Sequence, residues 1–210
     1  MRGLIHKEIC LYLKGIEKRA LFIVAAVVIF LMVKAGEYAG LLASIMLAMT
    51  IGIQSIMNFA SDEKTDWKKY QMALPVNNFH VVASKYISVV SIALFGVCGT
   101  LFLNLLSSVV HSSWDFTLWG LSAIVGMIIP LVWSGICLPL TYWFGFKSAQ
   151  MMGIVCVFPM VYLVNFFEDG PGLSVLPDTI LSYILVTMLA AAVIFIVSLF
   201  ISIVGYSRKK

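Results

Sequence analysis

The chain has 210 residues, of which 61% are hydrophobic and only 11% charged, with a mean hydropathy of +1.02. A soluble domain of this length carries about a quarter charged residues, so this chain lacks the polar surface to cover a core in water. Its solvent is a bilayer, and its net charge of +4 has a topological meaning with no bearing on nucleic acid.

Residues 4–18 come first. Ile5, Ile9, Tyr12, Leu13 and Ile16 recur on one face of a helix, with Lys7, Lys14 and Lys18 opposite. A basic amphipathic helix of this kind, set just before a membrane span, is expected to lie in the bilayer interface with its lysines toward anionic head groups.

Six uncharged runs follow, at 20–33, 38–60, 86–110, 116–142, 148–167 and 179–206. Five reach the roughly 20 residues that cross about 30 Å of hydrocarbon as helix. The first is short, and Lys18, Arg19 and Lys34 at its ends extend it by snorkelling. Charge decides that it spans. If all six cross, every Lys and Arg but Lys34 falls on one side, the excess that marks cytoplasmic loops. The expected fold is therefore an all-α membrane protein, a single transmembrane domain over 1–210. It has six transmembrane helices, an N-terminal amphipathic interfacial helix and both termini in the cytoplasm.

Several chemistries are missing. The runs hold no Asp, Glu, Lys, Arg or His well inside them, whereas proton relays and ion-coupled carriers need such groups at membrane depth. His6, His80 and His111 are dispersed, and Cys10, Cys98, Cys137 and Cys156 show no metal or CxxC spacing. No glycine precedes a lysine, so the phosphate-binding Gly-Lys pair is lacking and the chain is not expected to be an enzyme or to bind a cofactor. Mild polarity remains in the runs. Gln54, Asn58, Asn104, Thr141 and Asn165 either hydrogen-bond between helices, at about 0.6 kcal/mol each, or line a substrate path. Gln54, Asn58, Asn104 and Asn165 are the path-lining candidates. Small-residue pairs such as Ser122/Gly126 and Ser198/Ser202 permit close helix approach.

The densest charge lies at 61–85, between the second and third runs. Ser61 reads as a helix N-cap, with Asp62 and Glu63 in the first turn where the helix dipole favours acids. Trp67, Tyr70 and Leu74 form a narrow apolar stripe on a short charged helix, which Pro75 ends. Asn77 or Asn78 then caps the helix that enters the third span. The stripe wants either the membrane interface or a groove in a second protein.

These residues match a known pattern. Asp62-Glu63-Lys64, Trp67, Tyr70 and the Leu74-Pro75 bend, followed by Val82 and Ser84-Lys85-Tyr86, resemble the first cytoplasmic loop of ABC-type export permeases of the type-2 class. The likeness is nearest to the small six-span permeases of phenol-soluble modulin exporters. Pro139-Leu140 with Phe144, Gly145 and Lys147-Ser148-Ala149 looks like that subgroup's second cytoplasmic turn. The resemblance implies a permease in a bacterial plasma membrane, paired with a second copy or paralogue and with cytoplasmic ATPase subunits that hold ATP and Mg. It implies that 61–85 is the coupling loop, touching the ATPase through Asp62, Glu63, Lys64, Trp67, Tyr70, Leu74 and Pro75, and that the cargo is amphipathic peptide or another hydrophobic compound. The competing expectation is a membrane assembly or immunity protein whose loop binds a cytoplasmic partner.

Overall fold

The computed structural model describes residues 2–15, 18–34, 36–64, 77–147, 151 and 177–208. Among them are six α-helices: α1 (Arg2–Gly15), α2 (Lys18–Lys34), α3 (Ala39–Lys64), α4 (Asn78–His111), α5 (Phe116–Phe144) and α6 (Pro177–Arg208), with a single 3-10 turn at Gly36–Tyr38. Four of these helices hold segments long and apolar enough to cross a membrane: Ala39–Asn58, Asn78–His111, Phe116–Phe144 and Val186–Arg208. At 1.5 Å per residue, the 17 residues of α2 reach about 25 Å, a little short of the hydrocarbon thickness, as the length of its apolar run predicts. The expected span at 148–167 lies outside the described residues, Met151 excepted.

The chain divides into two compact units, Met1–Ser134 and Gly135–Lys210, and the division falls within α5. In the first unit much of the interior is small or polar and many large apolar side chains face outward, although Ile56, Val82, Tyr86 and Ile92 are buried. Ser44, Thr100 and Ser122 are fully buried, whereas Phe95 and Phe102 are 76% and 61% exposed. A soluble core has the reverse arrangement. Bundles in lipid are built this way, because hydrocarbon solvates leucine and phenylalanine as well as a protein interior does, leaving small residues and hydrogen bonds to hold helices together. Three of the buried serines answer their own polarity: Ser44, Ser55 and Ser88 each donate to the carbonyl four residues back, at 2.7–2.9 Å.

Helix ends follow local chemistry where α4 meets α5. Ser112, in left-handed backbone with φ 54°, closes α4, and the Asp115 carboxylate accepts the Thr117 N–H at 2.9 Å to open α5. The indole of Trp119 donates to Ser108 at 3.0 Å and stacks near Trp114, so the hairpin is pinned across its mouth. These bounds agree with the predicted runs.

The predicted start of the coupling loop does not hold. Ser61, read as an N-cap, lies inside α3, which carries on to Lys64. Asn77, in extended backbone (φ −70°, ψ 145°), is the N-cap residue of α4, though its side chain makes no capping bond. The connection between α3 and α4 is thus shorter than 61–85, and its residues 65–76 lie outside those described.

In the second unit, the last turns of α5 and α6 are clamped together. The Trp143 indole donates to the Ile201 carbonyl at 3.1 Å, the Arg208 guanidinium lies 5.1 Å from the centre of the same indole, and the rings of Tyr142 and Tyr206 meet edge to face. Gly205 makes room for Trp143, since a Cβ there would stand 2.5 Å from the indole.

Candidate functional site

The most concentrated chemistry in the first unit lies where α1 meets the ends of α3 and α4 that flank the 65–76 connection. Lys7 and Glu8 come from α1, Asp62 from the last turn of α3, and Lys85 from the third turn of α4. Lys85 Nζ lies 3.1 Å from Glu8 Oε1 and 2.6 Å from Asp62 Oδ2. Lys7 Nζ lies 3.2 Å from the same Glu8 oxygen and 2.5 Å from Asp62 Oδ1. Each ammonium thus touches both carboxylates, and the four groups form a closed ring of alternating sign. The Glu8 and Lys85 side chains are each 7% exposed. Taking charges out of water to this degree costs several kcal/mol per ion unless geometry and pairing return it, and here the local charge sums to zero.

The ring explains the position of Asp62. A carboxylate near a helix C-terminus faces the negative end of the helix dipole, the reverse of the first-turn placement expected from sequence. Two ammonium groups, one from each neighbouring helix, offset that.

A polar stripe on α3 continues the contact. Gln54, Asn58 and Asp62 recur every four residues on one face. Asp62 meets Lys7, the Asn58 amide donates to the Glu8 carbonyl at 3.4 Å, and Gln54 packs against Gly15, where a Cβ would collide with its amide. The contacts step back along α3 as they advance along α1, so the two helices run antiparallel through this stretch. Lys7 therefore turns into the bundle instead of toward head groups, a correction to the interfacial reading, while Lys14 stays exposed. Tyr12, also on α1, is buried, 9% exposed, and burial pushes its phenol up to about 12 from the usual 10.0. The folded form therefore retains a proton that the unfolded chain loses, and the contribution of Tyr12 to stability is whole below pH 10 and lost as the pH rises toward 12. Absorbance titration at 295 nm should show one tyrosine ionising about two units late, and Tyr12→Phe should remove that late component.

A second polar group lies deeper along the same helices. The Asn104 amide nitrogen on α4 lies 3.0 Å from the Ser44 hydroxyl on α3, 2.6 Å from the Ser122 hydroxyl on α5 and 2.8 Å from the Thr100 carbonyl, so its two N–H groups are shared among three acceptors. Ser107 accepts the Gly40 N–H at 3.2 Å. Gly40 and Gly126 let the backbones close in, since a Cβ on either would stand 2.5 Å from Asn104 Oδ1 or 2.8 Å from Thr100 Cγ2. Ser122 and Gly126 do permit close approach, as their spacing predicts.

Among the predicted path-lining residues, Asn104 thus ties three helices together, Asn58 and Gln54 meet α1, and Asn165 lies outside the described residues. Of the predicted loop contacts, Asp62 is part of the ring. Glu63 and Lys64 end α3, and Trp67, Tyr70, Leu74 and Pro75 fall outside the described residues. In the second turn, Phe144 is exposed at the end of α5, Gly145 adopts a φ of 90° and donates its N–H to the Thr141 carbonyl, and Lys147 is exposed. That is how a glycine ends a helix. Sequence reasoning passed over Glu8. Its signal was there: three residues after Ile5 and four before Tyr12, it puts a carboxylate on the apolar face of α1.

A family model described as ABC-2 family transporter protein matches residues 3–207. Comparison with curated proteins and with solved structures gave no match.

Proposed function

The chain belongs to the ABC-2 transporter family, and on that premise we propose that it is the permease half of an ABC exporter driven by ATP hydrolysis on a separate cytoplasmic subunit. A membrane component of an ABC transporter is not itself the catalyst; ATP and Mg belong in the partner. The observation that carries the reading is the extent of the family match, which takes in nearly the whole chain. It speaks for transport over the assembly or immunity alternative. The helical architecture with four long apolar helices and a polar, small-residue interior supports a multi-pass membrane protein.

The finer reading follows from charge and resemblance. Six spans cross a bacterial plasma membrane, with 148–167 the fifth and both termini cytoplasmic. The 65–76 connection, with Glu63 and Lys64 at its root, is the coupling element, and Trp67, Tyr70 and Leu74 are its apolar stripe for a groove in the ATPase. The permease works as a dimer with a second copy or a paralogue. An interior without ionisable groups at depth suits amphipathic cargo, and peptides of the phenol-soluble modulin type are the first to try.

Reversal of charge at Glu63 combined with Trp67→Ala tests the coupling assignment. Membrane insertion should be unchanged, with ATPase binding and export both reduced at least tenfold. Full binding and full export in the double variant would show that the coupling surface is elsewhere.

A further inference from the structure

We propose that Lys7, Glu8, Asp62 and Lys85 form an ionic latch that makes α1 one mechanical unit with both roots of the 65–76 connection, so that a partner pressing on that connection moves α1 together with the spans. The inference takes from the proposed function only that the connection faces a cytoplasmic partner.

Three observations carry it. The ring joins three helices at one point, and two of them are the helices that the connection links. Asp62 lies two residues from the end of α3 and Lys85 seven residues into α4, so little helix separates the latch from the connection on either side. And the ring is sensitive to register. An apolar contact tolerates sliding, but a displacement of α1 by one residue replaces an ammonium with a carboxylate and sets like charges against each other.

Burial gives the latch its strength and its specificity together. An apolar patch of the same volume would hold α1 as firmly or more so. What alternating charges add is a single allowed arrangement, the use for which buried polar groups are best attested. The stripe of Gln54 and Asn58 extends the contact toward the C-terminal end of α1, so α1 is held along its length and not only at its start.

The alternation supplies the test. Inverting the α1 pair (Lys7→Glu with Glu8→Lys) leaves net charge unchanged but sets Glu against Asp62 and Lys against Lys85. Inverting the other pair (Asp62→Lys with Lys85→Glu) creates the mirror conflict. All four changes together restore every contact with its sign reversed. Spin labels on cysteines introduced at Gly3 and His80, both exposed, in a chain whose native cysteines are changed to alanine, report the distance from α1 to α4. The measurement uses the full chain in vesicles of phosphatidylethanolamine and phosphatidylglycerol. The unaltered ring should give one narrow distance distribution. Each inverted pair should lose most of that narrow component, and the fourfold variant should recover it. Where an inverted chain fails to insert, Lys7→Gln with Glu8→Gln is read in the same way, and broadening is again expected. A distribution that stays narrow in the inverted or neutralised chains, or a fourfold variant as broad as its parents, would overturn the latch. The reading needs neither ATPase nor cargo, so its failure leaves the permease assignment standing. A sound latch in a chain that binds no ATPase would have the opposite meaning.

Discussion

Replacing Lys85 with methionine should lower the stability of the folded chain by about 3–5 kcal/mol, the usual penalty when one partner of a buried ion pair is removed. The change leaves Glu8 and Asp62, 7% and 13% exposed, with a single ammonium between them and an uncompensated negative charge in a site shielded from water. Folded fraction during SDS titration of the detergent-solubilised protein is the measurement. Removing the carboxylate as well, with Lys85→Met and Glu8→Gln together, leaves the Lys7–Asp62 pair neutral and should recover much of the loss. Two removals should therefore cost less than one. A loss below about 1 kcal/mol for Lys85→Met, the value of an exposed surface pair, would mean that the ring is open to solvent and contributes little.

The second large effect is expected at Gly40. Gly40→Leu brings a Cβ to 2.5 Å from Asn104 Oδ1 and 3.1 Å from Asn104 Cα. An amide can rotate away, but a backbone atom cannot, so α3 and α4 have to part. Overpacking of this kind costs about 1–3 kcal/mol, and here the loss of the Asn104–Ser44 and Gly40–Ser107 bonds is added to it. Thermal unfolding in detergent should show a clear fall. Gly120→Ala is the control: nothing lies near its absent Cβ, and alanine in a helix is favoured over glycine by up to about 1 kcal/mol. A Gly40→Leu chain as stable as that control would mean that the two helices are not in close contact.

The helices were largely legible because apolar runs bounded by charge have one physical solution in a bilayer. The hairpin between α4 and α5 fell where His111 and Asp115 interrupt the hydrocarbon-length stretches. Tertiary contacts overruled local signals at the end of α3. Ser61-Asp62-Glu63 has the composition of a helix start, yet the helix runs through it, because Lys7 and Lys85 offset the dipole penalty that Asp62 would meet alone. Neither cation is local to Asp62. Lys7 is 55 residues away and Lys85 is 23, and no periodicity links positions so far apart. Asn104 was singled out from its polarity within an apolar run; Ser122 stood out only as half of a small-residue pair, and Ser44 not at all, because serine in a membrane helix is ordinary. Lys7 shows the limit of amphipathic reading. A lysine opposite an apolar stripe is expected to face head groups, unless the neighbouring helices present a carboxylate, and one does.

The proposed function makes this chain the transport half of a two-component machine. The most direct measurement is gentle purification of the tagged chain from its native membranes, followed by assay of the eluate for ATP hydrolysis. The expected result is a soluble subunit that co-elutes, carries the phosphate-binding loop this chain lacks, and hydrolyses ATP at a rate that falls when Glu63 is reversed and Trp67 is changed to alanine. A chain that elutes alone and exports its cargo from vesicles without ATP would contradict it.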